Sequence, residues 1–343
     1  MTELTILRPD DWHLHLRDGA ALRAVLPFTA KQFARAVVMP NLKPPVTTVD
    51  AARTYRERIV AALPAGARFE PLMTLYLTDA TPPEEIRRAK ASGFVIGAKL
   101  YPAGATTHSD AGVTAVENIF PALEAMAEVD LVLQVHGEVT HADIDVFDRE
   151  RVFIDRVLTP VCERFPRLRI VFEHATTREA VQFVRGARAG VAATITPQHL
   201  LHNRNAMFQG GIRPHYYCLP VLKREHDRIA LLEAATADDA RFFLGTDSAP
   251  HAQGAKENAC GCAGVFSAHA ALELYAEAFE QAGKLERLQA FASERGADFY
   301  RLPRNRDVVT LRKQEWRPPA SYAFGDERLI PFRANETLAW KLQ

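Results

Sequence analysis

The sequence predicts an α/β chain folded as a (β/α)8 TIM barrel. Three observations point there. Eight short, apolar, β-rich runs are spread along the chain, amphipathic helical stretches lie between them, and several of the runs end in a polar or ionisable residue. Parallel strands covered by helices on both faces read as near-continuous apolar runs, and barrel enzymes place their catalytic groups at the C-terminal strand ends. A chain of 343 residues has room for two domains, but α/β barrels reach this size as one. Residues 1–343 are therefore read as a single barrel domain, with 303–343 as a C-terminal extension wrapping it.

Taken in order, the predicted strands are Trp12–Arg17, Ala36–Asn41, Phe69–Leu77, Val95–Tyr101, Leu131–Gly137, Arg169–His174, Val191–Thr196 and Arg241–Asp247. LVLQVHG and RIVFEHA show the continuous apolar character most clearly. Helical patterns cover Val49–Leu63, Pro82–Ser92, Asn118–Glu128, Asp148–Phe165, Thr177–Ala189 and Lys223–Ala235. Thr81-Pro-Pro-Glu-Glu reads as a helix start, with Thr81 as the capping residue, prolines in the first turn and early acids. Strands alternating with helices favour a closed barrel over a doubly wound sheet. From Pro303 the pattern changes to short extended runs (VVTLR, RLIPF) rich in Pro and Arg, and Glu3–Leu7 is placed to pair with this segment at the bottom of the barrel.

Bulk composition narrows the function. Hydrophobic residues make up 48% and charged residues 24%, enough to bury a large core. Forty-two basic residues balance forty-two acidic ones, which speaks against nucleic acid or an anionic membrane as a partner. The start, MTELTILRPD, has no apolar secretory core, and no run of eighteen apolar residues follows, so a cytoplasmic location is expected. Cys162, Cys218, Cys260 and Cys262 are too few for a disulfide framework and are read as reduced thiols. No phosphate-cradling glycine motif follows a strand, which argues against a nucleotide site.

The titratable residues at strand ends carry the chemistry. In Asp11-Trp-His-Leu-His-Leu-Arg-Asp-Gly19, His13 and His15 would lie on one strand face, their bases about 6.5 Å apart. That spacing suits a shared divalent ion. Lys99, His136, His174 and Asp247 end other predicted strands. A lone histidine there is readily a satisfied core residue, but six convergent groups are not. Four histidines and a carboxylate can serve two metals. Lys99 is a poor ligand as an ammonium with a reference pKa of about 10.4. Two accounts are open: a Schiff-base amine, or a carbamate formed with carbon dioxide, whose two oxygens could bridge two metals. The surrounding histidines favour the carbamate. Two divalent ions bring about +4, offset by roughly −1 each from carbamate, aspartate and hydroxide, leaving positive charge that would welcome an anionic substrate. Arg17, two residues beyond His15 on the same face, suits bidentate capture of a carboxylate; a surface ion pair with Asp10 or Asp18 is the plainer alternative. Residues 103–112 combine glycines and small residues with Thr106 and Thr107, as in a mobile lid.

On these residues the chain resembles the amidohydrolase superfamily and, within it, the dihydroorotase family of the shorter bacterial class. Asp11–Gly19 is similar to the family's first signature, and Gly245-Thr-Asp-Ser-Ala-Pro-His-Ala-Gln-Gly-Ala-Lys256 to its second. Met39-Pro-Asn41, Gly97–Pro102, His136, His174 and Cys218-Leu-Pro220 fall in the expected order between. The resemblance implies a metal-dependent hydrolase barrel holding two Zn²⁺ per subunit. His13, His15 and Asp247 would bind one, His136 and His174 the other, with N6-carboxylated Lys99 bridging both. Zn, Co and Mn can occupy similar ligand sets.

It further implies reversible hydrolysis of (S)-dihydroorotate to N-carbamoyl-L-aspartate in de novo pyrimidine biosynthesis, by a metal-bridging hydroxide with Asp247 as general acid and base. Arg17, Asn41 and His251 would grip the substrate carboxylate, the backbone of Leu219 and Ala263 would read the ring amides, and Thr106 and Thr107 would form the lid. A homodimer is implied as well, with a small molecule as the substrate partner. A hydantoinase or allantoinase would share the metal set but need no carboxylate grip. A catalytically dead scaffold would be expected to lose metal ligands that this chain keeps.

Overall fold

The computed structural model describes residues 2–259 and 261–343. Among the described residues, thirteen strands occur in chain order: β1 (Glu3–Leu7), β2 (Asp10–Leu14), β3 (Arg35–Val38), β4 (Glu70–Tyr76), β5 (Val95–Leu100), β6 (Val132–His136), β7 (Ile170–Glu173), β8 (Val191–Ile195), β9 (Phe242–Leu244), β10 (Val308–Trp316), β11 (Tyr322–Phe324), β12 (Glu327–Leu329) and β13 (Leu338–Leu342). β2 to β9 form one parallel sheet in sequential order, the expected α/β barrel. The sequential order is that of a barrel, in which each strand pairs with the next in the chain.

The barrel closes where β2 meets β9. His15 N donates to Ser248 O (3.1 Å) and Asp247 N to His13 O (2.9 Å). Beneath these bonds lies the buried carboxylate of Asp11. Its Oδ1 accepts from His13 N (3.1 Å) and Thr246 N (2.9 Å), and its Oδ2 from the Thr246 hydroxyl (2.6 Å). Burial pushes the Asp11 pKa up to about 7, against the pull of those Thr246 and His13 bonds.

Two layers of core hold this shape. The larger packs outward-facing strand residues such as Val38, Leu75, Leu100 and Val135 against the helices. The smaller fills the barrel interior with Trp12, Val37, Leu72, Val171 and Phe243, plugged by Tyr300 from the helix Arg295–Tyr300. Trp12 stacks on Tyr300 with centroids 4.6 Å apart. A Cβ on Gly296 would lie 2.0 Å from Trp12 Nε1, so this helix can approach only where it carries no side chain.

Glu3–Leu7 pairs antiparallel with Val308–Arg312 of β10, and β13 adds to the other edge of β10. Among the described residues, no helix is long and apolar enough to cross a membrane. Cys162, Cys218 and Cys262 are free thiols, while Cys260 lies outside the described residues.

Several local expectations are corrected. The strand predicted over Trp12–Arg17 ends at Leu14, so His15 and Arg17 stand beyond it, and Arg17 has φ 58°. Thr81 does not cap the helix Pro83–Ala91: Pro82 occupies the cap position, and Thr81 Oγ1 accepts from Thr78 N instead. The helix over Asp148–Phe165 is interrupted by a wide turn at Ile154–Leu158, just before Pro160. Proline lacks the N–H for the next rung and crowds the preceding carbonyl, which the wide turn accommodates. Helices at Gly19–Gln32, Ala271–Gln281 and Arg295–Tyr300 join those the pattern predicts.

Replacing Asp11 by Ala leaves the buried His13 and Thr246 amides unpaired at the seam and the Thr246 hydroxyl with only His13 O, at 3.3 Å. Asp11→Ala should therefore lower unfolding stability by about 3 kcal/mol, read by denaturant titration; a loss below about 0.5 kcal/mol would show that the carboxylate does not hold the barrel closed.

Candidate active site

Ionisable residues gather at the C-terminal strand ends because each sits on or just past a buried strand. His13 lies within β2, Lys99 within β5 and His136 at the last position of β6. His15, Asn41, His174 and Asp247 follow β2, β3, β7 and β9 by one to three residues. His174 (φ 42°) and Asp247 (φ 45°) adopt the left-handed region, which costs a non-glycine residue of order 1–3 kcal/mol and persists where the surroundings enforce it. One pocket is lined by His13, His15, Arg17, Asn41, Thr106, Thr107, His136, His174, Leu219, Asp247 and Ala263, together with Tyr101. Lys99 is fully buried in the adjoining strand, and His251 joins the pocket through Arg17.

Asp247 is the hub. Its Oδ1 lies 3.3 Å from His13 Nε2 and 3.1 Å from His15 Nε2. Ligand atoms of these three residues all fall within 4.8 Å of one another, as a shared cation requires. His136 and His174 make a second pair, ring centroids 4.8 Å apart, and His174 lies 5.0 Å from His13.

The outer nitrogens are held from behind. His13 Nδ1 donates to Glu173 Oε2 (2.6 Å), which also accepts from the Thr194 hydroxyl (3.0 Å). His136 Nε2 bonds Glu138 Oε2 (2.8 Å), and His15 Nδ1 bonds Asn41 Oδ1 (2.9 Å). Such partners fix the ring orientation and leave the other nitrogen as a ligand. Sequence reading passed over Glu173 and Glu138. The available signal was a carboxylate inside RIVFEHA and another two residues past His136, each too buried to stand without a partner.

Electrostatics favour metal binding. Burial lowers the pKa of His15 to about 3 and also lowers His136 and His174, keeping these imidazoles neutral. Burial is the largest effect on His13 and lowers it, but Glu173 and Asp247 together outweigh it and the net shift is upward. Burial would raise Asp247, yet His13, His15 and His174 hold it well below the usual carboxylate range. Lys99 is lowered to about 8 by burial, with Glu173 and Asp247 opposing. Its Nζ and the Nδ1 of His174 are buried without a hydrogen-bond partner. An amine of this pKa, orphaned beside neutral imidazoles and a carboxylate, fits a carbamate-bridged metal pair.

A polar arc faces this cluster. Arg17 Nε donates to Pro250 O (3.0 Å) and Nη2 to His251 Nε2 (2.9 Å), while Tyr55 OH holds Arg17 O at 2.5 Å. Burial and the adjacent Arg17 keep His251 neutral. Asp10 is taken by Arg35 and Asp18 by Arg58, so neither pairs with Arg17. The segment 103–112 folds over the mouth. Asn41 Nδ2 donates to Thr107 O (3.3 Å), and Ala263 N donates to Thr107 Oγ1 (3.2 Å). His199 is buried beside the pocket wall, bonded to Thr196 Oγ1 and Pro220 O.

Comparison with known proteins agrees with this geometry. Residues 10–311 match the model of the amidohydrolase family. A dihydroorotase from Cupriavidus pinatubonensis is 68% identical over 339 residues, covering 99% of this chain and 98% of that one. Among solved structures, a Campylobacter jejuni dihydroorotase superposes with a TM-score of 0.91 at 36% identity, over 100% of this chain and 98% of its own. A Saccharomyces cerevisiae dihydroorotase in complex with 5-fluoroorotic acid gives 0.92 at 33% identity, over 100% and 99%. The chain therefore belongs to the amidohydrolase family, and within it to the dihydroorotases.

Proposed function

We propose that this chain is a two-zinc dihydroorotase that interconverts (S)-dihydroorotate and N-carbamoyl-L-aspartate in de novo pyrimidine biosynthesis. The observation that carries the reading is the joining of two groups in one pocket: the His13–His15–Asp247 cluster and the Arg17–His251 pair. The first suits hydrolysis of an unreactive amide, and the second suits a substrate carboxylate. His13, His15 and Asp247 would hold one ion, and His136 and His174 the other, with Lys99 as a carbamate ligand to both. When bound, the ions supply Lewis acidity, lowering the pKa of water and polarising a carbonyl.

The chain's own groups do the rest. Arg17 and His251 orient the carboxylate, with Asn41 completing the grip as the lid's Thr106 and Thr107 close. Backbone groups of Leu219 and Ala263 meet the ring amide. Asp247 is ionised and fixed by two imidazoles, so it accepts the proton of the attacking water and passes it to the ring nitrogen as the C–N bond breaks. Cyclisation runs the same transfer in reverse. The proposal takes residues 1–343 as one barrel unit with 303–343 as its extension, supported by the pairing of β1 with β10. Cytoplasmic location and a homodimer complete it, resting on the family resemblance.

Turnover of L-dihydroorotate by the zinc-loaded protein, with hydantoin and allantoin in parallel, tests the substrate. The expected result is hydrolysis of dihydroorotate alone, and activity confined to the neutral rings would refute the carboxylate grip. Arg17→Met should lose about 2 kcal/mol in kcat/KM for dihydroorotate, and kinetics equal to the parent would return Arg17 to a structural role.

A further inference from the structure

Lys256 is buried at 5% exposure, and among the described residues no carboxylate pairs with it. Its Nζ donates to three carbonyls: Gly264 O (2.6 Å), Cys262 O (2.9 Å) and Tyr217 O (3.1 Å). An ammonium has three donors, so this one is fully used. Burial lowers its pKa to about 8, which leaves it mostly charged at neutral pH.

The acceptors are placed tellingly. Cys262 and Gly264 flank Ala263, and Tyr217 stands two residues before Leu219; Leu219, Ala263 and Gly264 all line the pocket. Gly264 N donates to the same Tyr217 O (3.1 Å), so one carbonyl ties both segments together. The approach is close: a Cβ on Gly264, at φ 152°, would sit 2.5 Å from Ala249 O. The Cys262 carbonyl also shares its peptide with the Ala263 N–H that donates to Thr107 Oγ1 in the lid (3.2 Å). A cation on a carbonyl draws density from its peptide and strengthens that N–H as a donor.

We infer that Lys256 is a positioning residue that fixes both backbone segments at the pocket and strengthens the Ala263 N–H, so that it sets affinity for the ring and docking of the lid. The inference rests on the proposed contacts of Leu219 and Ala263 with the ring. It also assigns different work to the two halves of the pocket: Arg17 and His251 answer to the carboxylate alone, and Lys256 answers to the ring.

The test compares the zinc-loaded parent with Lys256→Met and Lys256→Arg. The binding probes are 5-fluoroorotic acid, which has a ring and a carboxylate, and succinate, which has only carboxylates. Lys256→Met should bind 5-fluoroorotic acid at least about tenfold more weakly and raise KM for dihydroorotate by a similar factor. Its kcat, zinc content and succinate inhibition should stay within about threefold of the parent, and Lys256→Arg should recover most of the lost ring affinity. Should Lys256→Met fail to fold, Lys256→Gln, which keeps two donors, takes its place with the same expectation. Unchanged 5-fluoroorotic acid affinity, or equal loss of both ligands, would overturn the inference. The parent's own turnover keeps the two claims apart: a parent inert on dihydroorotate refutes the proposed function, whereas a normal parent with an unaltered variant refutes only the role of Lys256.

Discussion

Closure of the barrel between β2 and β9 is the constraint on which the site depends. The two strands lie at opposite ends of the sheet order and 228 or more residues apart in sequence, yet their bonds bring His13 and His15 against Asp247. The Asp11 carboxylate under the seam holds His13 and Thr246 by their backbone amides, so the same group that closes the barrel sets the height of the His13 and Asp247 side chains. Fold and chemistry are joined at that carboxylate.

From the seam, an unbroken path of polar contacts crosses the pocket. It runs from Thr194 through Glu173, His13, Asp247, His15 and Asn41 to the lid carbonyl of Thr107. The path links buried polar groups across a low-dielectric interior, where each needs a partner, although Glu173 Oε1 has none. Lys99 Nζ is a conspicuous exception, and its lack of a partner is intelligible if the functional side chain is a carbamate rather than an amine. The segment 103–112 is fixed by the same logic. Asn41 links Thr107 to His15 and Ala263 links it to the opposite wall, so the segment is tied to both sides of the pocket.

Much of this was legible in the sequence because parallel strands bury both faces. An apolar run ending in His, Lys or Asp marks both a strand and a strand end; His13, His15, His136, His174 and Asp247 line one pocket, and Lys99 is buried in the adjoining strand. Boundaries were less legible. The predicted strands overran their C-terminal ends because Arg17, His174 and Asp247 leave extended geometry to face the pocket, a turn that tertiary contacts impose. The helix Gly19–Gln32 was hidden by Pro27 in its interior. Glu173 and Glu138 were passed over because their role appears only with the imidazoles they orient, one of them 160 residues away. The role of Lys256 is not legible in the sequence, since its carbonyl partners are set by the folding of two loops, one of them 39 residues away.

The central claim is that buried, unpartnered Lys99 completes a two-metal site as a carbamate. The most direct measurement is carbon-13 NMR of the zinc-loaded protein equilibrated with labelled bicarbonate, with bound zinc counted on the same sample. The account predicts one carbamate carbon per chain alongside two zinc ions, with the carbamate signal absent when Lys99 is replaced. Two zinc ions bound beside an unmodified lysine amine would contradict it.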